Sequence, residues 1–507
     1  MPCGRTSWST QRSARRPSAS RLRRDRVSAV LAGIDVGTTA VKGIAIDDSG
    51  SVLARAQAGY PLSTPRTGWA EQDPEDWWQA TEAVLDQLAS AAGAPGGIGL
   101  SGQMHGLVAL DSADRVVRPA ILWNDQRTAA ECEEITQTFG LERLIELTGN
   151  RALPGFTAPK LLWLRRHEPD VWRRVKRVML PKDYVRLRLC GERATDVSDA
   201  SGTLLLDVAA RRWSAQVLDA LELDSAMLPG VLESAAVSGV ARLGSATVPV
   251  AAGAGDQAAG ALGVGVGRPG PLSVALGTSG VVFAAGERFL PDALGRVHAF
   301  CHARPASWHV MGVMLSAAGS LEWARGVLAP DADFDALLSG AEQWGPGVEG
   351  LTFLPYLAGE RTPHADPDAR AAFVGLGLRH DRAALVRAVL EGVAFGLRDS
   401  LDLIRDLGIE TPLGRVSGGG ARSELWLRII ASVLELSLER VAVDEGAAFG
   451  AAILGGVAGG VWDHVDAGIA ATVRPGEPVE PVAEWVPAYR AGHQRFTALY
   501  PALRSLE

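Results

Sequence analysis

Val30 to Asp47 reads VLAGIDVGTTAVKGIAID. Val30–Asp35 is an apolar run that predicts a strand, Val36–Thr39 a turn and Val41–Asp47 a second strand. Asp47-Asp48-Ser49-Gly50 predicts a tight turn, and Ser51–Tyr60 a third strand. A hairpin turn that holds Gly37, Thr38 and Thr39 is a phosphate cradle in chemical terms. Backbone N–H groups and hydroxyls donate to phosphate oxygens, and the glycine lets the ligand approach the main chain. Asp35, just before the turn, suits Mg²⁺, which takes carboxylate oxygens together with substrate phosphates. A single hairpin of this kind is also an ordinary hairpin. The echo at Leu272–Phe283, LSVALGTSGVVF, changes that reading. Strand, Gly277-Thr278-Ser279 and strand recur in the second half, so the fold expected is α/β: two related domains facing a central cleft, with a nucleotide held by both turns.

Between the two copies lies Val250–Val264, VAAGAGDQAAGALGV. A small-residue strand end runs through Gly253-Ala254-Gly255 into Asp256-Gln257 and then an Ala-rich helix. Asp256 at the tip of that helix can direct its carboxylate out of the strand end into open space. An aspartate there also caps helices by accepting from orphan N–H groups, and the residues alone leave both readings open.

Other strand ends carry hydrogen-bonding clusters of the same kind. Ile98–Ser101 predicts a strand that leads into Gly102-Gln103-Met104-His105-Gly106, and Ala120–Trp123 one that leads into Asn124-Asp125-Gln126-Arg127. Side chains displayed at such rims suit a polyhydroxylated ligand, whose hydroxyls need donors and acceptors. Pro181-Lys182-Asp183-Tyr184 and Thr195–Gly202 read as loop punctuation, as does Pro355–Pro363 (PYLAGERTP). Ser316–Trp323 looks like a small-residue helix start, and Leu385–Ile404 a strong amphipathic helix. Val416-Ser417-Gly418-Gly419-Gly420-Ala421 precedes a helix over Glu424–Leu434, so a flat or charged ligand can lie against the backbone there. This glycine run is neither the GxxxxGK[ST] phosphate loop, which the chain lacks, nor a dinucleotide GxGxxG. A Gly/Ala-rich helix over Ala447–Val457 should pack tightly on its neighbours.

At 507 residues the chain is long enough for two large domains or three smaller ones. A net charge of −8 argues against nucleic acid as the main partner. Four scattered cysteines, Cys3, Cys132, Cys190 and Cys301, indicate neither a disulfide framework nor a zinc site and suit a reducing cytoplasm. Apolar runs are broken by glycine, so no membrane span is expected. The first 27 residues carry eight arginines against Asp25, leaving −15 on the rest. Transit peptides share this Arg- and Ser-rich make-up, and a basic arm could bind nucleic acid or lipid. Lysine is scarce throughout, so the arginines partly follow the chain's habit, and residues 1–28 are expected to form a disordered extension. Domains are expected over 29–252 and 253–507.

GIDVGTTAVK, GLSGQMHGLV, ILWNDQRT, TDVSDASGT, GAGDQAAGALGVG, LGTSGVV and SGGGARS, in this order, resemble the FGGY carbohydrate kinases, from about Ala29 to the C-terminus. The resemblance implies two actin-like (ribonuclease H-like) ATPase domains with ATP and Mg²⁺ in the cleft, and a possible homodimer. It implies Asp256 as catalytic base and Asp35 as the metal-associated aspartate. Gly37, Thr38, Thr39, Lys42, Gly277, Thr278 and Ser279 would lie on the phosphates, with Gly319, Gly418, Gly419, Gly420 and Ala421 on the adenosine side. Gln103, Met104, His105, Asn124, Asp125 and Gln257 would face the sugar, although position 257 is often Asn in relatives. The Met-His and Trp-Asn-Asp signatures favour a ketopentose, with D-xylulose the expected acceptor. Another ketopentose, a polyol or a sugar acid is the nearest rival. An actin-like ATPase that switches a protein partner is the rival from another class.

Overall fold

The computed structural model describes residues 29–441 and 446–505. The expected Arg-rich extension, 1–28, lies outside the described residues.

The opening hairpin forms as expected: β1 (Leu31–Val36) and β2 (Ala40–Ile46) pair antiparallel, and β3 (Val52–Gly59) pairs with β2. Helix α1 (Pro74–Ala92) follows, started by Asp73, which accepts from the Glu75 N–H, and by a proline in its first turn. It buries Trp77, Val84, Leu85 and Leu88. Strand β4 (Gly97–Gly102) then inserts parallel to β1. Both strands are covered on two faces, which is why they read as apolar and small residues rather than alternating ones.

Next come α2 (Thr157–His167), α3 (Pro181–Cys190) and the short α4 (Val197–Ser201). The loops expected at 181–184 and 195–202 are instead helix starts. Pro181 occupies the first helical position, where its missing N–H is no loss. Asp196 caps α4 by accepting from Ser198 and Asp199 N–H groups, and Ala194–Asp196 is a short strand. Strands β5 (Val237–Leu243) and β6 (Ala246–Ala251) and the two-residue strand Ala254–Gly255 complete the first sheet, in the order β5-β6-β4-β1-β2-β3 with Ala254–Gly255 also on β4. Helix α5 (Asp256–Gly263) leads out of it.

The second sheet repeats this plan. Strands β7 (Pro271–Leu276), β8 (Gly280–Gly286), β9 (His298–Cys301), β10 (Trp308–Met314), β11 (Leu413–Ser417), β12 (Ser437–Val441) and β13 (Pro475–Val479) run in the order β9-β10-β8-β7-β11-β12-β13. As in the first sheet, an antiparallel run, of four strands here and three there, is continued by two parallel strands and closed by an antiparallel one. Helices α6 (Ala318–Leu328), α7 (Arg382–Asp406) and α8 (Glu424–Leu434) cover it. The chain thus folds as two α/β domains of the actin-like kind.

Helix α9 (Gly446–Ala458) comes late in the chain yet lies on the first sheet and on α5. It sits so close that a Cβ on Gly99 of β4 would stand 1.7 Å from the Ala451 carbonyl, and one on Gly450 would stand 1.8 Å from the Ala259 carbonyl. Only glycine admits backbones at that separation. The tight packing expected of this Gly/Ala-rich helix is therefore observed, and it couples the two halves.

Candidate functional site

Strand register gathers the carboxylates. Asp35 on β1 lies beside Ser101 on β4, and Ser101 lies beside Ala254; one step on, Val36, Gly102 and Gly255 are level. Three parallel strands therefore end together, and Asp35 and Asp256 emerge at the same edge, the carboxyl end where open α/β sheets bind ligands. Gly253 makes the turn before Asp256 with φ +85, and a side chain there would meet the Leu100 carbonyl at 2.3 Å.

Asp256 is the first residue of α5, but Gly255 holds the cap position and no side chain caps the helix. Asp256 thus stands one residue past the cap position, its carboxylate partly exposed, crowded by protein and hydrogen-bonded by Gln257. Burial raises its pKa to about 7, the nearby Asp35 charge adds to the rise, and Gln257 opposes it. Asp35 is also raised, by burial first, with the Ser101 hydroxyl (3.0 Å) and Lys42 opposing. The Asp35 charge thus raises Asp256, and two crowded carboxylates at one edge form a site short of positive charge.

The two turns are held differently. In the first, the Gly37 carbonyl accepts from the Tyr60 hydroxyl and from Gln103 Nε2 at 3.3 Å. The Thr38 carbonyl accepts from Gln72 Nε2 at 2.7 Å, and Thr38 Oγ1 accepts from Trp123 Nε1 at 3.0 Å. That hydroxyl keeps its own proton to donate. Thr39 and Lys42 are exposed beside the turn. In the second turn, the Gly277 and Thr278 carbonyls accept N–H groups of Ala317, Ala318 and Gly319 at the start of α6, at 2.8 to 3.1 Å. Thr278 is exposed, with Ser279 partly so. A groove of about 1300 Å³ opens there, lined by Thr278, Gly319, Leu338, Gly340, Gly419, Gly420 and Trp426. Gly418, with φ +88, packs behind it against the Leu276 carbonyl, and Ala421 is buried. The glycine run does not open α8 directly. A 3-10 turn over Gly419–Arg422 intervenes, and Ser423 caps the helix.

Met104 is buried against Gly255, the residue before Asp256: a Cβ on Gly255 would meet its sulfur at 2.8 Å. His105 has φ 69, a conformation held by Lys160 Nζ (2.9 Å) and Thr157 Oγ1 (3.0 Å) on its carbonyl. Its Nδ1 stands 2.6 Å from the Gly202 carbonyl, which can only accept, so Nδ1 carries the proton. Burial pushes the ring's pKa down to about 3, so it is neutral and Nε2 offers a lone pair. Burial likewise lowers Lys160 to about 7.

Asn124 is partly exposed, and its Oδ1 is shielded and lacks a hydrogen-bond partner. Gln257 stands partly exposed beside Asp256. Two expected sugar contacts face elsewhere. Asp125 is fully buried, accepting from the Ala70 N–H (2.7 Å) and from Arg127 Nε and Nη2 (2.9 and 2.6 Å). Arg127 in turn stacks on Trp69 at 3.6 Å. Gln103 is buried between Gly37 and Gln72, so its amide braces the phosphate turn.

Sequence reasoning missed the support beneath Asp256. Lys182 is fully buried and contacts Asp183 (2.6 Å), Asp196 (2.7 Å) and Asp199 (3.0 Å), while Arg186 pairs with Asp183 (2.5 Å). Three carboxylates face two cations. Burial, with the neighbouring carboxylates, raises Asp199 well above the usual range, while the two cations lower Asp183. A neutral Asp199 leaves the cluster balanced. From this cluster Arg186 Nη2 donates to the Ala252 carbonyl (2.6 Å), and Ser198 Oγ, bonded to Asp196, accepts from the Gly255 N–H (3.2 Å). The backbone that presents Asp256 is thus held from below. The polar residues of 181–199 within an otherwise apolar stretch were the available signal. The far wall of the groove, 334–343, gave none.

The FGGY family of carbohydrate kinases matches this chain through its N-terminal domain model over residues 30–263 and its C-terminal domain model over 272–459. A xylulose kinase of Escherichia coli (strain K12) is 44% identical over 487 residues, 94% of this chain and 99% of the relative. One of Bacillus subtilis (strain 168) is 37% identical over 94% of this chain and 97% of its own length. The crystal structure of xylulose kinase from Rhodospirillum rubrum superposes with a TM-score of 0.87 at 32% identity, covering 94% of this chain and 99% of that one. A strand-end carboxylate pair, two phosphate-type turns and these matches together show that the chain belongs to the FGGY family of carbohydrate kinases.

Proposed function

We propose that this kinase transfers the γ-phosphoryl group of ATP to the 5-hydroxyl of D-xylulose. The observation that carries this reading is Asp256, a partly exposed carboxylate at a helix tip, close to Asp35 at the strand edge. Xylulose kinases related to this chain over 86–94% of its length at 37–44% identity support the acceptor.

The sugar lies between Asp256 and the neutral His105, whose Nε2 accepts from a hydroxyl. The O5–H proton passes to Asp256 as the O5–P bond forms and the bond from phosphorus to the β,γ-bridging oxygen breaks, releasing ADP. A base of pKa about 7 is matched to that task near neutral pH. Gly37–Thr39 and Lys42 on one side, and Gly277–Ser279 on the other, donate to the phosphates. Gly319 and Gly418–Ala421 build the adenosine groove. The donor set fits Mg²⁺: among the described residues no group of three or more His, Cys, Asp or Glu side chains could enclose a metal alone, so phosphate oxygens and water would complete the shell. Asp35 would hold the ion, which supplies neutralising charge at the transferring phosphoryl group.

No helix among the described residues is long and apolar enough to cross a membrane. A cytoplasmic homodimer is the assembly that goes with this reading, checked by sedimentation. The activity test is ADP release across a panel of sugars. D-xylulose should give the highest kcat/KM; equal or better turnover of ribulose or glycerol contradicts the assignment, and protein-stimulated hydrolysis indifferent to sugars would favour a switch ATPase.

A further inference from the structure

Glu360-Arg361-Thr362 joins the second domain to the sugar side of the cleft. Glu360 Oε1 accepts from the Leu315 and Arg361 N–H groups (3.0 and 2.7 Å), and Thr362 exchanges hydrogen bonds with Val313 (3.0 Å each). Thr362 Oγ1 also donates to the Arg296 carbonyl at 3.0 Å. These bonds fix the backbone on both sides of Arg361 and leave its side chain to cross to the first domain. There Nη2 stands 3.7 Å from where a Gly155 side chain would begin, and Gly155 itself packs on the Trp123 carbonyl. Arg361 also lies close enough to His105 and His298 for its charge to disfavour protonation of both rings.

The guanidinium is only partly exposed and makes no hydrogen bond or ion pair with any described residue. Glu360 is its nearest countercharge, and that carboxyl is bound to backbone N–H groups and raised by burial to about 8, so it offers little charge near neutral pH. A shielded cation without partners is costly unless a ligand supplies them. Its surroundings are the expected sugar contacts: His105, and Trp123 next to Asn124. Five N–H donors and no acceptor match a group that can only accept, such as a ketone oxygen. Neutral His105 Nε2, which can only accept, matches a hydroxyl.

We propose that Arg361 is a specificity-determining contact, donating from the second domain to the ketone oxygen and the neighbouring hydroxyl at the end of the sugar remote from the phosphorylated group. This rests on the ketopentose reading above, and wild-type activity separates the two: absence of ADP release with D-xylulose would sink that reading before any variant is made. With an active wild type, Arg361→Gln should raise KM for D-xylulose about tenfold or more, with a smaller change in kcat. The inhibition constant of xylitol, which carries CHOH in place of the ketone but keeps the neighbouring hydroxyl, should move by a clearly smaller factor than the KM for D-xylulose. Arg361→Lys keeps the charge without the fork and should fall between, and it serves as the readout if the glutamine variant fails to bind ATP normally. A KM for D-xylulose within about twofold of wild type in the folded variants, or equal weakening of D-xylulose and xylitol, would overturn the assignment.

Discussion

The turns at Gly37–Thr39 and Gly277–Ser279 share strand, Gly-Thr-hydroxyl and strand, yet they are anchored in opposite ways. Side chains from distant segments, Tyr60, Gln72, Gln103 and Trp123, converge on the first. Backbone N–H groups of the next helix hold the second. The first is thereby tied to the sugar side, since Gln103 and Trp123 adjoin Met104 and Asn124 in sequence. The second is tied to the groove that Gly319, Gly419 and Gly420 line. One motif used twice is thus anchored in two different neighbourhoods, because what braces each turn differs.

Substitutions on either side of this contrast should separate the two substrates. Asp256→Asn removes the base and should lower turnover by about 10³-fold or more while calorimetry finds ATP affinity retained. Asp35→Asn should lower turnover by about 10²-fold and raise the Mg²⁺ concentration needed for half-maximal rate. Gly319→Val presses on the Thr278 carbonyl, already 3.0 Å from a Cβ at that position. It should raise KM for ATP about tenfold and leave KM for sugar nearly unchanged. Ser198→Ala frees the Gly255 N–H and should reduce kcat about threefold to tenfold, with both KM values little moved. If Gly319→Val raises both KM values equally, the division between the turns fails.

The smallest effect is on stability. Asp256 has a folded pKa raised from 3.8 to about 7, so the folded state binds its proton more tightly than the unfolded chain. Stability therefore falls as pH rises from about 4 to about 7, and the cost is full above that. Asp256→Asn should be more stable than wild type by about 1–3 kcal/mol at pH 8, an advantage that fades toward pH 4 in thermal melts.

The duplicated domain plan, the turns and the Asp256 element were legible because each is a local strand–turn or turn–helix pattern. Asp125 and Gln103 were misplaced for the opposite reason: Arg127 and the Ala70 N–H engage one, Gly37 and Gln72 the other, and nothing local announces those partners. Lys182, Asp183, Asp196 and Asp199 read as turn residues because a buried ion network looks, in one dimension, like solvated loop polarity. Arg361 gave no signal, since its meaning lies in the absence of a partner. The seat of α9 on the first sheet was half legible: its glycines foretold close packing but not against what.

A crystal structure with ADP, Mg²⁺ and D-xylulose bound would decide between these readings. The phosphates should lie between residues 37–39 and 277–279, adenine in the groove beside Gly419 and Gly420, and the sugar O5 about 3 Å from an Asp256 carboxylate oxygen. A nucleotide bound outside the two turns, or an O5 beyond hydrogen-bond reach of Asp256, would contradict it.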